Sequence, residues 1–301
     1  MKKILLIGGS GQVGSELKAQ SKLNGFECLA PTSQQLDVTD SASIRRYLEK
    51  NTDVNFVINA SAYTAVDKAE SEQELAYQVN AIAPGGLAAA CCENNIPLLH
   101  ISTDYVFDGT ADSPYTESSP VNPINVYGKS KREGEQAVQN ACDEFIILRT
   151  SWVFGVNGHN FVKTMLGLGR TRPEISVVAD QYGCPTEASY IARTIFEVIK
   201  SILTGKTGCW GVYHYSGSGV TDWSSFAQAI FEQARKVNPA YPEVTVNKIT
   251  TADYPTSALR PGYTALDCSR IEEVFAVRGV RWQEMLDSSM AAIYENAFEQ
   301  K

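Results

Sequence analysis

Short apolar runs alternate with helix-patterned stretches through the first half of the chain. Residues 4–7 (Ile-Leu-Leu-Ile) are aliphatic throughout, as suits a strand buried on both faces. Residues 12–20 read as helix. The alternation continues with strands at 26–30, 54–59, 97–101 and 145–148. Between them lie helices at 41–50, from Ser71 as one long helix through the small residues 81–90, and at 127–140. Asp40 before Ser-Ala-Ser is the expected cap of the second helix. Residues 108–123, rich in Ser, Pro and Thr, are expected to run over the surface. Strands alternating with helices predict right-handed crossovers and a parallel sheet covered on both faces.

After Arg149 the alternation weakens. Helices are expected at 160–168, 187–200 and 221–236, strands at 175–179 and 212–215, a loop at 254–262, and a final helix from Trp282. No internal repeat or low-complexity tract interrupts the 301 residues, which suffice for one large domain or two unequal ones.

Composition narrows the function. With 44% hydrophobic and 20% charged residues the chain is an ordinary globular protein. A net charge of −8 without a basic run argues against nucleic acid and acidic membrane surfaces as partners, while leaving room for a local anion pocket. Lys2 and Lys3 imitate a signal peptide, but the apolar stretch stops at Gly8. No run approaches the ~18 apolar residues that span a bilayer. The seven cysteines are dispersed and include no CxxC, which reads as reduced thiols in a cytoplasmic protein. The three histidines (His100, His159, His214) are scattered and read as structural.

Three stretches carry chemistry. Gly8, Gly11 and Gly14 follow the first strand and open the first helix, the context in which a glycine pattern points to a dinucleotide. The backbone can turn there, and a pyrophosphate can approach the helix N-terminus. The spacing is GxxGxxG rather than GxGxxG, and a loop needing positive φ is the bland alternative. Tyr127 and Lys131 stand four apart on one helix face. An ammonium beside a phenol lowers its pKa and suits the pair to acid–base work, although an amphipathic surface helix gives the same spacing. Ser102, Thr103 and Asp104 leave a parallel strand at its carboxyl end, where open α/β sheets bind ligands; a loop or helix cap is their alternative role.

Together these stretches resemble the extended short-chain dehydrogenase/reductase family, whose members carry GxxGxxG, a hydroxyl residue after the fourth strand and YxxxK. The segments beginning at Asn59, Ser102, Asn125, Arg149, Asn160 and Asp180, with the late Arg260-Pro261, are similar to the dTDP-4-dehydrorhamnose reductase group within it. The resemblance implies a Rossmann-type doubly wound parallel sheet with a smaller α/β substrate-binding lobe. Residues 1–150 would bind NAD(P), residues 151–301 would form mainly the lobe, and segments at roughly 180–220 would return to the first unit.

It further implies reduction of the 4-keto group of dTDP-4-dehydro-L-rhamnose, giving dTDP-L-rhamnose. Hydride would come from the nicotinamide and a proton from Tyr127, with Lys131 on the nicotinamide ribose and tuning Tyr127, and with Thr103 on the C4 oxygen. Thr103, Asp104, Trp152 and Arg260 would meet the substrate; a core aromatic and a surface salt bridge are the alternative roles of Trp152 and Arg260. The cofactor would lie along Gly8, Ser10, Gly11, Gln12, Val13, Gly14, Asp37, Val38, Ala60, Ala62, Tyr63 and Thr64, besides Tyr127 and Lys131.

Pro31, Thr32 and Ser33 end the second strand without a carboxylate to repel a 2′-phosphate, so NADPH is expected, with NADH an open alternative. Glu16 matches a Mg²⁺ ligand of some relatives, but Ser189 stands where a second glutamate is expected, and Mg²⁺ is not predicted. A homodimer is the expected assembly if the chain self-associates. Two rival readings stand. One is a reductase giving dTDP-6-deoxy-L-talose; the other is a non-catalytic NADP-binding subunit like the methionine adenosyltransferase β subunit. A dTDP-glucose dehydratase is disfavoured, since Asp104-Tyr105 replaces the Asp-Glu of those relatives.

Overall fold

The apolar runs of the first half lie side by side as parallel strands. The computed structural model describes residues 1–298. Its strands are β1 Lys2–Ile7, β2 Phe26–Leu29, β3 Val54–Asn59, β4 Leu98–Thr103, β5 Phe145–Thr150, β6 Val153–Phe154, β7 Glu174–Val178, β8 Tyr182–Gly183, β9 Thr186–Glu187, β10 Gly211–His214, β11 Thr221–Asp222 and β12 Thr245–Ile249. Its helices are α1 Gln12–Ser21, α2 Ser41–Lys50, α3 Val66–Ala69, α4 Gln73–Tyr77, α5 Ala83–Glu93, α6 Val126–Ala141, α7 Phe161–Gly169, α8 Ala188–Leu203, α9 Trp223–Val237, α10 Ser269–Phe275 and α11 Trp282–Phe298.

The main sheet has the order β10-β5-β4-β3-β1-β2, parallel throughout. β1 shows why it forms. Ile4 and Leu6 belong to the apolar cluster that includes Ile195, Phe196 and Ile199 of α8. Leu5 and Ile7 belong to the opposite cluster, with Ile44 and Leu48 of α2 and Leu87 and Cys91 of α5. An all-aliphatic strand is what a sheet covered on both faces requires. β10 comes from far along the chain and adds to the sheet beside β5. No helix among the described residues is long and apolar enough to cross a membrane.

The single helix expected from Ser71 to residue 90 is broken. α3 and α4 are short, and a π-helical turn, Gln78–Ile82, leads into α5. Pro84 explains the turn. It has no N–H for the Asn80 carbonyl, and its ring would clash with that carbonyl in a regular helix. The distortion has a use: Asn80 accepts from the Tyr63 N–H at 2.8 Å, and its Nδ2 donates to Tyr63 O and to Ser130 Oγ, both at 3.0 Å. β12 and α10 carry no clear signal in the sequence. β12 pairs with β7, but none of its side chains is fully buried.

α6 is fixed at its N-terminus by two side chains. Asn125 Oδ1 caps it by accepting from the Gly128 N–H at 2.7 Å, and Glu70 Oε1 accepts from the Val126 N–H at 2.9 Å. Deeper in, Glu135 accepts two hydrogen bonds from Arg149 of β5, at 2.8 and 2.7 Å, and one from Ser102 Oγ of β4 at 2.7 Å. Glu135 and Arg149 are both buried. His214 of β10 completes the cluster. Its Nδ1 lies 3.0 Å from Tyr115 O, which only accepts, so Nδ1 carries the proton and Nε2 faces Arg149 Nη1 at 3.4 Å as an acceptor.

Removing one partner of this pair leaves an uncompensated buried charge. Arg149→Leu is expected to lower the unfolding free energy in urea by about 3–5 kcal/mol. The double change Glu135→Leu with Arg149→Met is expected to recover most of that loss.

Candidate active site

Strand order reverses at β1, with β2 on one side and β3 on the other. The crevice beyond the carboxyl ends at such a point is where open α/β sheets take ligands. Gly8 turns the chain with φ +80°, and a Cβ there would stand 2.6 Å from the Ala60 carbonyl carbon. A Cβ on Gly14 would stand 2.1 Å from Gly8 O, so helix and turn can approach only because neither residue has one. Gly11 then serves as N-cap of α1 without a side-chain cap among the described residues.

A cavity of 540 Å³ opens here. Gly11, Gln12 and Val13 line one side, with Ala60, Ser61, Ala62 and Thr64 after β3. Thr103, Asp104, Tyr127, Lys131 and Trp152 line the other, together with Trp223. Three stretches distant in sequence thus meet in one crevice.

Thr103 has two local duties. Its Oγ1 accepts from the Tyr105 N–H at 3.2 Å, capping the turn Asp104–Val106, and donates to Asp104 Oδ1 at 3.0 Å. Asp104 Oδ2 has no hydrogen-bond partner among the described residues. Burial pushes this carboxyl up to about 7, against the hydrogen bonds from Thr264 and Thr103. Tyr127 stands edge-on to Tyr105, ring centres 5.6 Å apart. Its phenol is pushed up to about 12, first by burial and also by Asp104, with the Thr103 hydroxyl pulling the other way.

Lys131 is 1% exposed and turned toward β4, where its Nζ donates to Ile101 O at 2.7 Å and lies 3.2 Å from His100 Nε2. Burial pulls the ammonium down to about 8, opposed by Glu135.

The remaining expected residues fall elsewhere. Gly8 and Gly14 shape the turn and Ser10 is exposed on it, none of them lining the cavity. Asp37 is exposed and accepts from Thr39, and neither it nor Val38 reaches the cavity. The Tyr63 hydroxyl donates to Glu72 at 2.5 Å, and the ring is not part of the cavity wall.

Arg260 lines a neighbouring 870 Å³ cavity that shares Tyr105 and Trp223 with the first. There its guanidinium is forked onto Asp67, at 2.7 and 2.6 Å. Trp223 was missed by sequence reasoning. It stacks on Trp152 with centres 3.5 Å apart, and an aromatic at the first position of a helix has no spacing to mark it. His159, read as structural, is exposed on the cavity wall.

Glu16 and Glu187 share a third pocket of 440 Å³. Glu187 accepts from the Ser189 N–H and hydroxyl, and burial pushes it up to about 7. Among the described residues no group of three or more His, Cys, Asp or Glu could hold a metal ion.

A glycine turn at the reversal point of a parallel sheet, facing a Thr–Tyr–Lys set, defines an oxidoreductase of the extended short-chain dehydrogenase/reductase class. Comparison with known proteins agrees. The family model described as RmlD substrate binding domain matches residues 1–295. A dTDP-4-dehydrorhamnose reductase of Aggregatibacter actinomycetemcomitans is 42% identical over 294 residues, covering 97% of this chain and 99% of that protein. The crystal structure of such a reductase from Clostridium acetobutylicum superposes with a TM-score of 0.90 at 38% identity, over 97% of this chain and 99% of its own. One from Bacillus anthracis, in complex with NADP, gives 0.88 at 34% identity, over 96% and 98%. The chain belongs to the dTDP-4-dehydrorhamnose reductase family.

The Asp104 environment has a thermodynamic consequence. A carboxyl whose pKa is raised on folding holds its proton more tightly when folded, so stability falls as pH rises from the unfolded value near 4 through about 7. Relative to Asp104→Asn, the protein is expected to lose on the order of 4 kcal/mol between pH 4 and 8. Urea unfolding of both proteins across that range reads the difference.

Proposed function

We propose that the crevice reduces the 4-keto group of dTDP-4-dehydro-L-rhamnose to dTDP-L-rhamnose, using NADPH. The observation that carries this is the convergence of Thr103, Tyr127 and Lys131 on the cavity that the α1 N-terminus also lines. The residues present fit a dinucleotide. Gly11 leaves the first amides of α1 without a side-chain cap, and the first turn holds no carboxylate. Those amides would hold the pyrophosphate, the segment Ala60–Thr64 would pack along the cofactor, and Lys131 would hold the nicotinamide ribose. NADPH is favoured over NADH because Pro31, Thr32 and Ser33 offer no carboxylate, while Lys18, whose stem lies against Gly9, brings a cation to the same end. NADPH, when bound, supplies the hydride for the ketone carbon.

The chain's own residues do the rest. The Thr103 hydroxyl turns its one proton from Asp104 to the C4 oxygen and orients it. Tyr127, with its phenol pushed up to about 12, is protonated at neutral pH and gives its proton to the alkoxide, a stronger base than phenolate. Trp152 and Trp223 wall the sugar, and the aromatic faces exclude water from one side. Arg260 trades Asp67 for the diphosphate, to which its planar fork is equally suited. Residues 1–150, with α8 and β10 returning to them, bind the cofactor; residues 151–301 otherwise supply the substrate side.

The test is oxidation of NADPH at 340 nm with enzymatically generated dTDP-4-dehydro-L-rhamnose, with the product's configuration read by NMR. Tyr127→Phe is expected to lower kcat by about 10²–10⁴-fold. NADPH binding without turnover in the native chain contradicts the proposal.

A further inference from the structure

His100 lies in the middle of β4, fully buried, and no step above employs it. Its Nε2 is 3.2 Å from Lys131 Nζ, and its Nδ1 has no hydrogen-bond partner among the described residues. An ammonium has three N–H donors and no acceptor, so the contact requires Nε2 to accept and Nδ1 to carry the proton. A buried donor left without an acceptor is costly and calls for an explanation.

We propose that His100 is a positioning residue for the reduction, acting through Lys131 by holding its ammonium at the end of β4. Two fixed acceptors, His100 Nε2 and Ile101 O at 2.7 Å, take two of the three N–H groups. The third is left for the cavity that Lys131 lines. The Ile101 carbonyl alone leaves the long side chain free to swing about one bond; a second acceptor fixes the direction of the remaining N–H. Burial and the neighbouring Lys131 hold the imidazole well below its ordinary pKa, so it stays neutral and able to accept. A similar contact is made two strands away on β10, where neutral His214 faces the Arg149 guanidinium of β5. The orphaned Nδ1–H is the cost of this acceptor.

The inference rests on the reading that Lys131 holds the nicotinamide ribose, and the experiment separates the two. NADPH binding is followed by its fluorescence in the native protein, Lys131→Ala, His100→Phe, His100→Gln and the double variant His100→Phe with Lys131→Ala. Loss of a hydrogen bond that fixes a charged group predicts a Kd about tenfold higher in His100→Phe. His100→Gln, which places an amide oxygen near the Nε2 position, is expected to recover to within about threefold. In the Lys131→Ala background His100→Phe is expected to add nothing, because two residues acting through one contact are not additive.

Native-like binding by Lys131→Ala overturns the reading of Lys131 itself. Weakened binding there with native-like binding in His100→Phe overturns the role of His100 alone. Equal losses in His100→Phe and His100→Gln, or additive losses in the double variant, show that His100 merely fills space. If His100→Phe does not fold, His100→Met takes its place with the same arms.

Discussion

A carboxylate and a guanidinium meet in the interior, and the placement of the side chains that line the crevice depends on them. Glu135 lies one turn below Lys131 and two below Tyr127 on α6, and its grip on Arg149 ties that helix to the centre of the sheet. Taking two charges out of water is expensive, and the pair is tolerable only because other groups satisfy it. Ser102 and Arg132 bind the carboxylate, and His214 and the Phe107 ring, 5.2 Å from the guanidinium carbon, receive the arginine. Ser102 stands beside Thr103 on β4. One network therefore sets the helix that carries Tyr127 and Lys131 against the strand that carries Thr103.

The ionisable groups above this network are withdrawn from solvent, and burial explains their electrostatics. Burial pushes the acids Asp104 and Tyr127 up and pulls the base Lys131 down. Each shift favours the neutral form, as a low dielectric demands. A phenol that keeps its proton at neutral pH, one helical turn from a lysine held by the Ile101 carbonyl, is arranged before substrate arrives. Electrostatic preorganisation of this kind is usually the largest single contribution to catalysis.

Much of this was legible in the sequence because the responsible signals are local. Ile4 to Ile7 suit a strand covered on both faces, and Asp40 caps α2 by accepting from the Ala42 N–H at 2.9 Å. The glycine turn and the Tyr127–Lys131 spacing likewise act within a few residues. What was not legible depends on tertiary partners. The long helix read through residues 71–90 breaks because Pro84 frees a carbonyl, and the resulting turn aims Asn80 at Tyr63 and Ser130, which no periodicity announces. Trp223 reaches the cavity by stacking on Trp152 from a helix 71 residues on, and Asp67 meets Arg260 across 193. The residues packed behind Tyr127 and Lys131 (His100, Glu135, Arg149) look like ordinary core or surface positions until the strands are laid in order.

The central claim is that this crevice passes a hydride to the C4 ketone of a dTDP-sugar while Tyr127 supplies the proton. Its most direct test uses NADPH carrying deuterium on the transferred position, with dTDP-4-dehydro-L-rhamnose as acceptor and NMR of the product. The account predicts one deuterium at the sugar C4 for every NADPH oxidised. NADPH oxidised without label at C4, or bound and never oxidised, contradicts it.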